Sequence, residues 1–288
     1  MIYSMTGYAA AAREFASGVL NLELRSVNHR YLDIQFRLPD ELRSIEPQLR
    51  EQVAARISRG KVECRVTFVA GAGAQKALQL NDALLRQLIS LGKKVRDALP
   101  EAQGLGTADV LRWPGMLGAE AVPVEELREP CRELLAAVLG EFASARSREG
   151  ERLKTILLER VASIESRLAA IGPRIPHAVA AFQEKLTVRL KEALAGGDDE
   201  RIRQEVTVFA TKIDVDEELS RLATHVAELK RILLEGGAVG KRLDFLIQEL
   251  NRETNTVGSK SVDLAVTQSA LELKVLIEQM REQIQNIE

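Results

Sequence analysis

From about residue 150 onward every apolar periodicity in this chain is helical, which commits its second half to an all-α packing. Leu153, Leu157, Val161, Ile164, Leu168 and Ile171 form one apolar line. Pro173 and Pro176 interrupt it, and Val179, Phe182, Leu186 and Leu190 begin another, so two long helices joined at a bend are expected. Further on, Val266, Ala270, Leu273, Ile277, Met280, Ile284 and Ile287 repeat by alternating steps of four and three, which is heptad spacing. Such a stripe needs a partner, either a helix of the same chain or a second subunit. Short Gly-rich turns at residues 195–199 and 235–237 separate the helices.

The first seventy residues read differently. Leu20, Leu22 and Leu24, then Leu32, Ile34, Phe36 and Leu38, alternate with polar residues on both sides of Asn28-His29, which predicts a β-hairpin. Ile45, Leu49, Val53 and Ile57 recur at helical spacing, and Gly60 is placed to end that helix before a strand from Lys61 to Val69. Helices are expected over about 81–99 and 125–148, with turns around Trp113-Pro114-Gly115 and Pro123. The fold class is therefore α+β. At 288 residues with 45% hydrophobic content, the chain has material for two ordinary cores. The expected organisation is an α+β domain over 1–150, a long helical hairpin connector over 151–200, and a C-terminal helical domain over 201–288.

A formal charge of -2 means that an anionic partner must be held by a local basic face. Two cysteines, Cys64 and Cys131, are too few for a disulfide framework, and Cys64 falls on an apolar strand face, so a reduced, cytoplasmic protein is expected. No basic segment leading into an apolar core opens the chain, and no run of roughly 18 apolar residues occurs. No membrane role follows.

The chemistry concentrates in Lys241–Lys260. A helix starting near Lys241 puts Leu243, Leu246, Ile247 and Leu250 on one stripe. Arg242, Glu249 and Glu253 line one flank of it, and Asp244, Gln248, Asn251 and Asn255 line the other. A helix over roughly 216–234 precedes it, with Glu218 and His225 two turns apart along one border, about 10 Å, too far to grip one ion together. Glu228, or glutamates of the following helix in an antiparallel pair, suit His225 better. An imidazole among carboxylates is a ligand set for Mn²⁺ or Mg²⁺. Against this, Glu218 with Arg221 and Glu249 with Arg252 also read as ordinary i, i+3 ion pairs.

Thr254–Ser261 reads as a loop able to cradle phosphate, with Gly258 allowing close approach and Ser259, Lys260 and Ser261 at the start of the next helix. Capping alone also accounts for the serines. Residues 236–241 imitate a P-loop, but the glycines are one residue too close and Arg242 replaces the required Ser or Thr, so nucleotide hydrolysis is rejected. In Arg25-Ser-Val-Asn-His-Arg-Tyr31, Arg25 and Arg30, joined by Arg59 and Lys61, are candidates for phosphate contact, with Tyr31 or His29 stacking a base of single-stranded RNA. Solvation of a tight turn explains the same polarity.

At these motifs the chain resembles the bacterial YicC/YloC family: Ser4-Met-Thr-Gly-Tyr8, Arg25-Ser-Val-Asn-His-Arg-Tyr-Leu32, Arg59-Gly-Lys-Val-Glu63, Leu111-Arg-Trp-Pro-Gly115, Arg242-Leu-Asp-Phe through Ser259-Lys-Ser261, and Glu272-Leu-Lys onward. The resemblance implies a cytoplasmic endoribonuclease that cleaves single-stranded RNA with a divalent metal, as a homo-oligomer of hexameric form, linked in some members to small regulatory RNA turnover. It makes Glu218, His225, Glu249 and Glu253 the preferred metal set, with Glu249, His225 and Arg242 catalytic. Arg25, Asn28, Arg30, Asn251, Arg252, Asn255, Ser259 and Lys260 become the RNA-contact candidates. Two rivals stand beside it: metal-independent attack by the 2′-hydroxyl with His225 as base, and a non-catalytic oligomeric RNA-binding adaptor.

Overall fold

The computed structural model describes residues 1–15, 18–70, 79–118, 124–193 and 199–288, and the turns expected at Pro123 and at residues 195–198 lie outside these. Strands β1 (Gly7–Phe15), β2 (Gly18–Val27), β3 (Leu32–Arg37) and β4 (Gly60–Ala70) form a sheet in the order β1-β2-β4-β3. Alternation sets the two faces. Leu20, Leu22 and Leu24 of β2 and Val62, Cys64 and Val66 of β4 point into one core, while Glu23 and Arg25 stay on the open face. Helix α1 (Glu46–Ala54) and the first half of the 48-residue α4 (Val124–Ile171) cover the inner face with Leu49, Val53, Leu135 and Phe142.

The expected hairpin between β2 and β3 does not form. Strand β4 lies between them, antiparallel to β2 and parallel to β3. The physical reason is the helix inserted after β3: β3, α1 and β4 make a crossover unit, which pairs its strands in parallel. The four residues 28–31 therefore span two strand spacings, about 10 Å, where a tight turn spans one. They cross over Gly60, which donates its N–H to the Tyr31 carbonyl at 3.3 Å. At φ +114 Gly60 holds a conformation L side chains rarely adopt, and a Cβ there would meet the Val27 carbonyl at 3.3 Å.

A small lobe of α2 (Asp82–Ala98), α3 (Thr107–Arg112) and the strand pair β5 (Gln79–Leu80) and β6 (Leu117–Gly118) is inserted between β4 and α4. The Trp113–Gly115 turn leads from α3 into β6, as expected. Cys64 and Cys131 are free and buried in the sheet core, and burial pushes their thiols up to about 12 and about 11. Both are inert by that burial.

Helix α4 does not stop at residue 150. Gly150 lies inside it because a side chain there would run into the Ile2 carbonyl, 2.0 Å from its Cβ position. The second half of α4 packs with α7 (Asp216–Glu235), α8 (Gly240–Lys260) and α9 (Leu264–Ile284) as a four-helix bundle, each sequential neighbour in contact and α4 touching both α7 and α9. The heptad residues of α9 are all buried in this one core, so the same chain supplies their partner. Helices α5 (Arg174–Ala193) and α6 (Asp199–Ile213) pair with each other beside it. No helix among the described residues is long and apolar enough to cross a membrane.

Residues 1–6 and 284–288 tie the two cores together. Ser4 bridges Ile287, the Met5 N–H donates to the Asn286 carbonyl at 2.7 Å, and the buried Arg146 of α4 reaches both the Ser4 carbonyl and Glu288. The P-loop imitation is consumed by this latch: the N–H of Gly237 donates to Met1, and those of Val239 and Gly240 donate to the Glu288 carbonyl.

Candidate active site

Helices α7 and α8 are joined by four residues and pair antiparallel, so equivalent flanks face each other along one seam. Their apolar stripes, Leu222, Val226, Leu229 and Leu233 on α7 and Leu243, Leu246, Ile247 and Leu250 on α8, fix the rotation of each helix. That rotation brings the polar borders together. At one end Lys260 donates to Glu218 at 2.7 Å and to the Asp214 carbonyl at 3.1 Å. One turn on, Arg221 lies 3.5 Å from Glu253. Next come His225, Glu249 and Glu253, whose ligand atoms all lie within 4.8 Å of one another. At the far end Arg242 faces Glu228 at 3.6 Å, and Glu228 also accepts from Arg231.

The electrostatics of the seam follow from this order. Hydrogen bonding from Arg231, reinforced by Arg242, holds the Glu228 carboxyl below its ordinary value. The Glu217 and Glu253 carboxylates keep the Arg221 guanidinium charged well above its ordinary range. Glu253 is 4% exposed, and its one ion-pair partner among the described residues is Arg221. A buried carboxylate is costly unless charge and hydrogen bonds compensate it. The Glu218 Oε2 and Thr254 Oγ1 atoms are also buried with no hydrogen-bond partner. An imidazole and two carboxylates converging within 4.8 Å fit a hard divalent cation in donor type, number and spacing.

Three of the four expected metal ligands thus come together, and Glu218 does not: it is the partner of Lys260. Arg242, placed with the catalytic group by resemblance, stands two turns from Glu249, about 10 Å. The expected loop at Thr254–Ser261 is instead the last two turns of α8. Asp263, not Ser259 or Ser261, caps α9 by accepting from the Val266 N–H at 3.0 Å. Ser259 bonds back to the Thr256 carbonyl, a helical arrangement with no room for a cradle. Burial of Thr254 and Val257 against the bundle, not local propensity, carries the helix through Gly258.

On the opposite flank Gln248 donates to Asp244 and Asn255 donates to Asn251, both at i, i+4. Arg252 is exposed between the flanks, 4.0 Å from Glu249. The sequence reading gave two residues no part in the site, and it paired Arg221 with Glu218 where the structure pairs it with Glu217 and Glu253. Arg221 is the cation closest to the metal-type cluster, and its signal was its place between Glu218 and His225 on the same border. Phe245, 60% exposed on the outer face of α8, stood off the apolar stripe in the sequence itself.

The N-terminal candidates lie elsewhere. Arg25 is on the open sheet face, in register with Tyr8 of β1 and Glu63 of β4. Asn28, Arg30, Tyr31 and Arg59 line a cleft of about 550 Å³ whose other wall is Gly240, Lys241 and Asp244 at the start of α8.

A latched α+β domain and helical bundle, with one carboxylate–imidazole cluster on the bundle seam, define the class. Residues 2–155 match the family described as "Endoribonuclease YicC-like, N-terminal region", and residues 171–288 match "Endoribonuclease YicC-like, C-terminal". The chain belongs to this YicC-like family. It is 41% identical over 288 residues to the probable endoribonuclease YicC of Haemophilus influenzae, covering all of both chains. It is 30% identical over 293 residues to the probable endoribonuclease YicC of Clostridioides difficile, again over the whole of each.

Proposed function

We propose that the protein is an endoribonuclease that hydrolyses single-stranded RNA at the α7/α8 seam with the help of a divalent metal ion. The observation that carries this reading is the convergence of His225, Glu249 and Glu253 within 4.8 Å. These three residues would hold Mn²⁺ or Mg²⁺, which when bound supplies Lewis-acid charge beside a phosphodiester and favours ionised water. The family names of the relatives agree with RNA as the substrate.

The chain's own residues divide the remaining work. Glu253 is buried and oriented by Arg221, so it is the fixed ligand. Glu249 has 26% of its side chain exposed and serves as the carboxylate that accepts a proton from water approaching the phosphorus. Arg221, 3.5 Å from Glu253, is the cation beside the cluster and would offset the charge that builds on the phosphate oxygens. Arg242 and Arg252 suit neighbouring phosphates of the strand, and Asn251 and Asn255 offer amides to base edges. Phe245 presents an exposed ring on which a base can stack. Lys260 holds Glu218 and keeps the seam closed.

The test is cleavage of end-labelled single-stranded RNA by wild-type and Glu249→Ala protein, with Mn²⁺ and with EDTA. Cutting by the wild type with metal alone, and its loss in the variant with RNA binding retained, is the expected result. Cleavage that survives EDTA and leaves 2′,3′-cyclic phosphate ends would instead favour 2′-hydroxyl attack. Equal behaviour of both proteins would favour an RNA-binding adaptor.

A further inference from the structure

The interdomain cleft carries the chemistry of a second nucleotide site. Its walls come from chain segments far apart in sequence, Asn28–Tyr31 and Arg59 on one side and Lys241 and Asp244 on the other. Arg30 and Lys241 have no carboxylate within ion-pair distance among the described residues, whereas every cation named on the α7/α8 seam has one. Asp244 is the one carboxylate of the lining, and it already accepts from Gln248 at 2.9 Å. Three cations against one occupied carboxylate leave the cleft electropositive in a chain whose net charge is -2. Solvated surface cations would satisfy the bland reading, but they do not explain convergence from two domains onto one concavity.

The loop is also held in shape before any ligand arrives. The His29 Nδ1 bonds to the Tyr31 backbone, and the Arg59 Nε donates to the His29 carbonyl at 3.1 Å. His29 is therefore a brace for the loop, and base stacking falls to Tyr31. That ring is 64% exposed, and the Arg30 guanidinium lies 5.3 Å from its centroid. A cation-backed aromatic next to unpaired cations is the combination that takes a base on its π-face and a phosphate on its rim. Because the loop is preorganised, little ordering cost opposes binding.

We infer that this cleft is an accessory subsite that holds one nucleotide of the same single-stranded RNA whose backbone is cut at the seam. The inference rests on the reading of RNA as the substrate. Lys241 and Glu249 lie eight residues apart on α8, on the order of 12 Å along its axis, so a few nucleotides of extended strand connect the two sites. The subsite then sets a minimum RNA length for tight binding and fixes where the cut falls relative to the held nucleotide.

Binding and cleavage are measured separately to test this. Fluorescein-labelled oligo(U) of roughly 16 nucleotides is titrated in EDTA against wild type, Tyr31→Ala and Lys241→Ala. Each variant should bind about tenfold more weakly, the loss of one stack or one phosphate contact. Lys241→Ala should also lower the slope of log affinity against log salt by about 0.7. In cleavage with Mn²⁺ the loss should appear in KM with kcat kept, and should shrink as the RNA is shortened below the span of the two sites. Unchanged affinity in EDTA, or an equal loss on long and short RNA, overturns the subsite. If affinity falls as expected but wild type cuts nothing, the subsite stands and the nuclease reading fails.

Discussion

The α7/α8 seam and the interdomain cleft are built from the same side chains and arranged in opposite ways. On the seam, arginine, lysine and glutamate alternate across the helix pair so that each cation meets a carboxylate, leaving surplus negative charge at His225, Glu249 and Glu253. In the cleft, cations gather with one carboxylate among them. Paired charge holds a cluster of ligands at fixed positions, where it accepts a cation. Unpaired positive charge in a concavity waits for an anion. On the proposed reading, the cleft grips a polyanion and the seam polarises its backbone.

Substitutions that exchange these characters are the way to break the comparison. The largest effect is expected from Glu253→Gln, which keeps shape and removes the charge. Cleavage should fall by at least about a hundredfold while thermal stability is kept or rises, because the neighbouring Glu249 loses a repelling charge. Next is Lys260→Met, which leaves the buried Glu218 without its cation. It should cost about 2 kcal/mol in denaturant unfolding, and a cost near zero would show that the seam pair is incidental. Arg221→Ala should lower the unfolding midpoint less than Lys260→Met does, because this arginine is half exposed and its contact with Glu253 is 3.5 Å long. The smallest effect on folding belongs to the cleft, where Lys241→Ala should change stability by under about 0.5 kcal/mol. A destabilisation of 260-type size at 241 would erase the contrast.

Much of the seam was legible because helical spacing is local. The stripes of α7 and α8 and the short turn between them already placed His225 against the flank that carries Glu249 and Glu253. Spacing alone also set Glu218 two turns from His225, about 10 Å, and it was the family resemblance that returned it to the ligand set. Strand order was not legible. Alternation reports which face a residue takes and says nothing of which strand lies beside it, so β4 slipping between β2 and β3 was invisible. Gly150 falls between two stretches expected to be helical and Gly258 in the expected loop, yet both lie inside helices. One is required by the approach of Ile2, and the other is carried by the buried residues around it. The cleft joins Tyr31 to Lys241 across the whole fold, and the continuous helix α4 and the latch between residues 1–6 and 284–288 bring them together.

The most direct test is the single-turnover cleavage rate of one unstructured RNA across a Mn²⁺ titration, for wild type, His225→Ala and Glu253→Gln. The account predicts a saturable rise for the wild type. Each variant should reach a plateau at least about a hundredfold lower, with its midpoint moved to higher Mn²⁺. A wild-type rate indifferent to Mn²⁺, or variants that follow the wild-type curve, would contradict it.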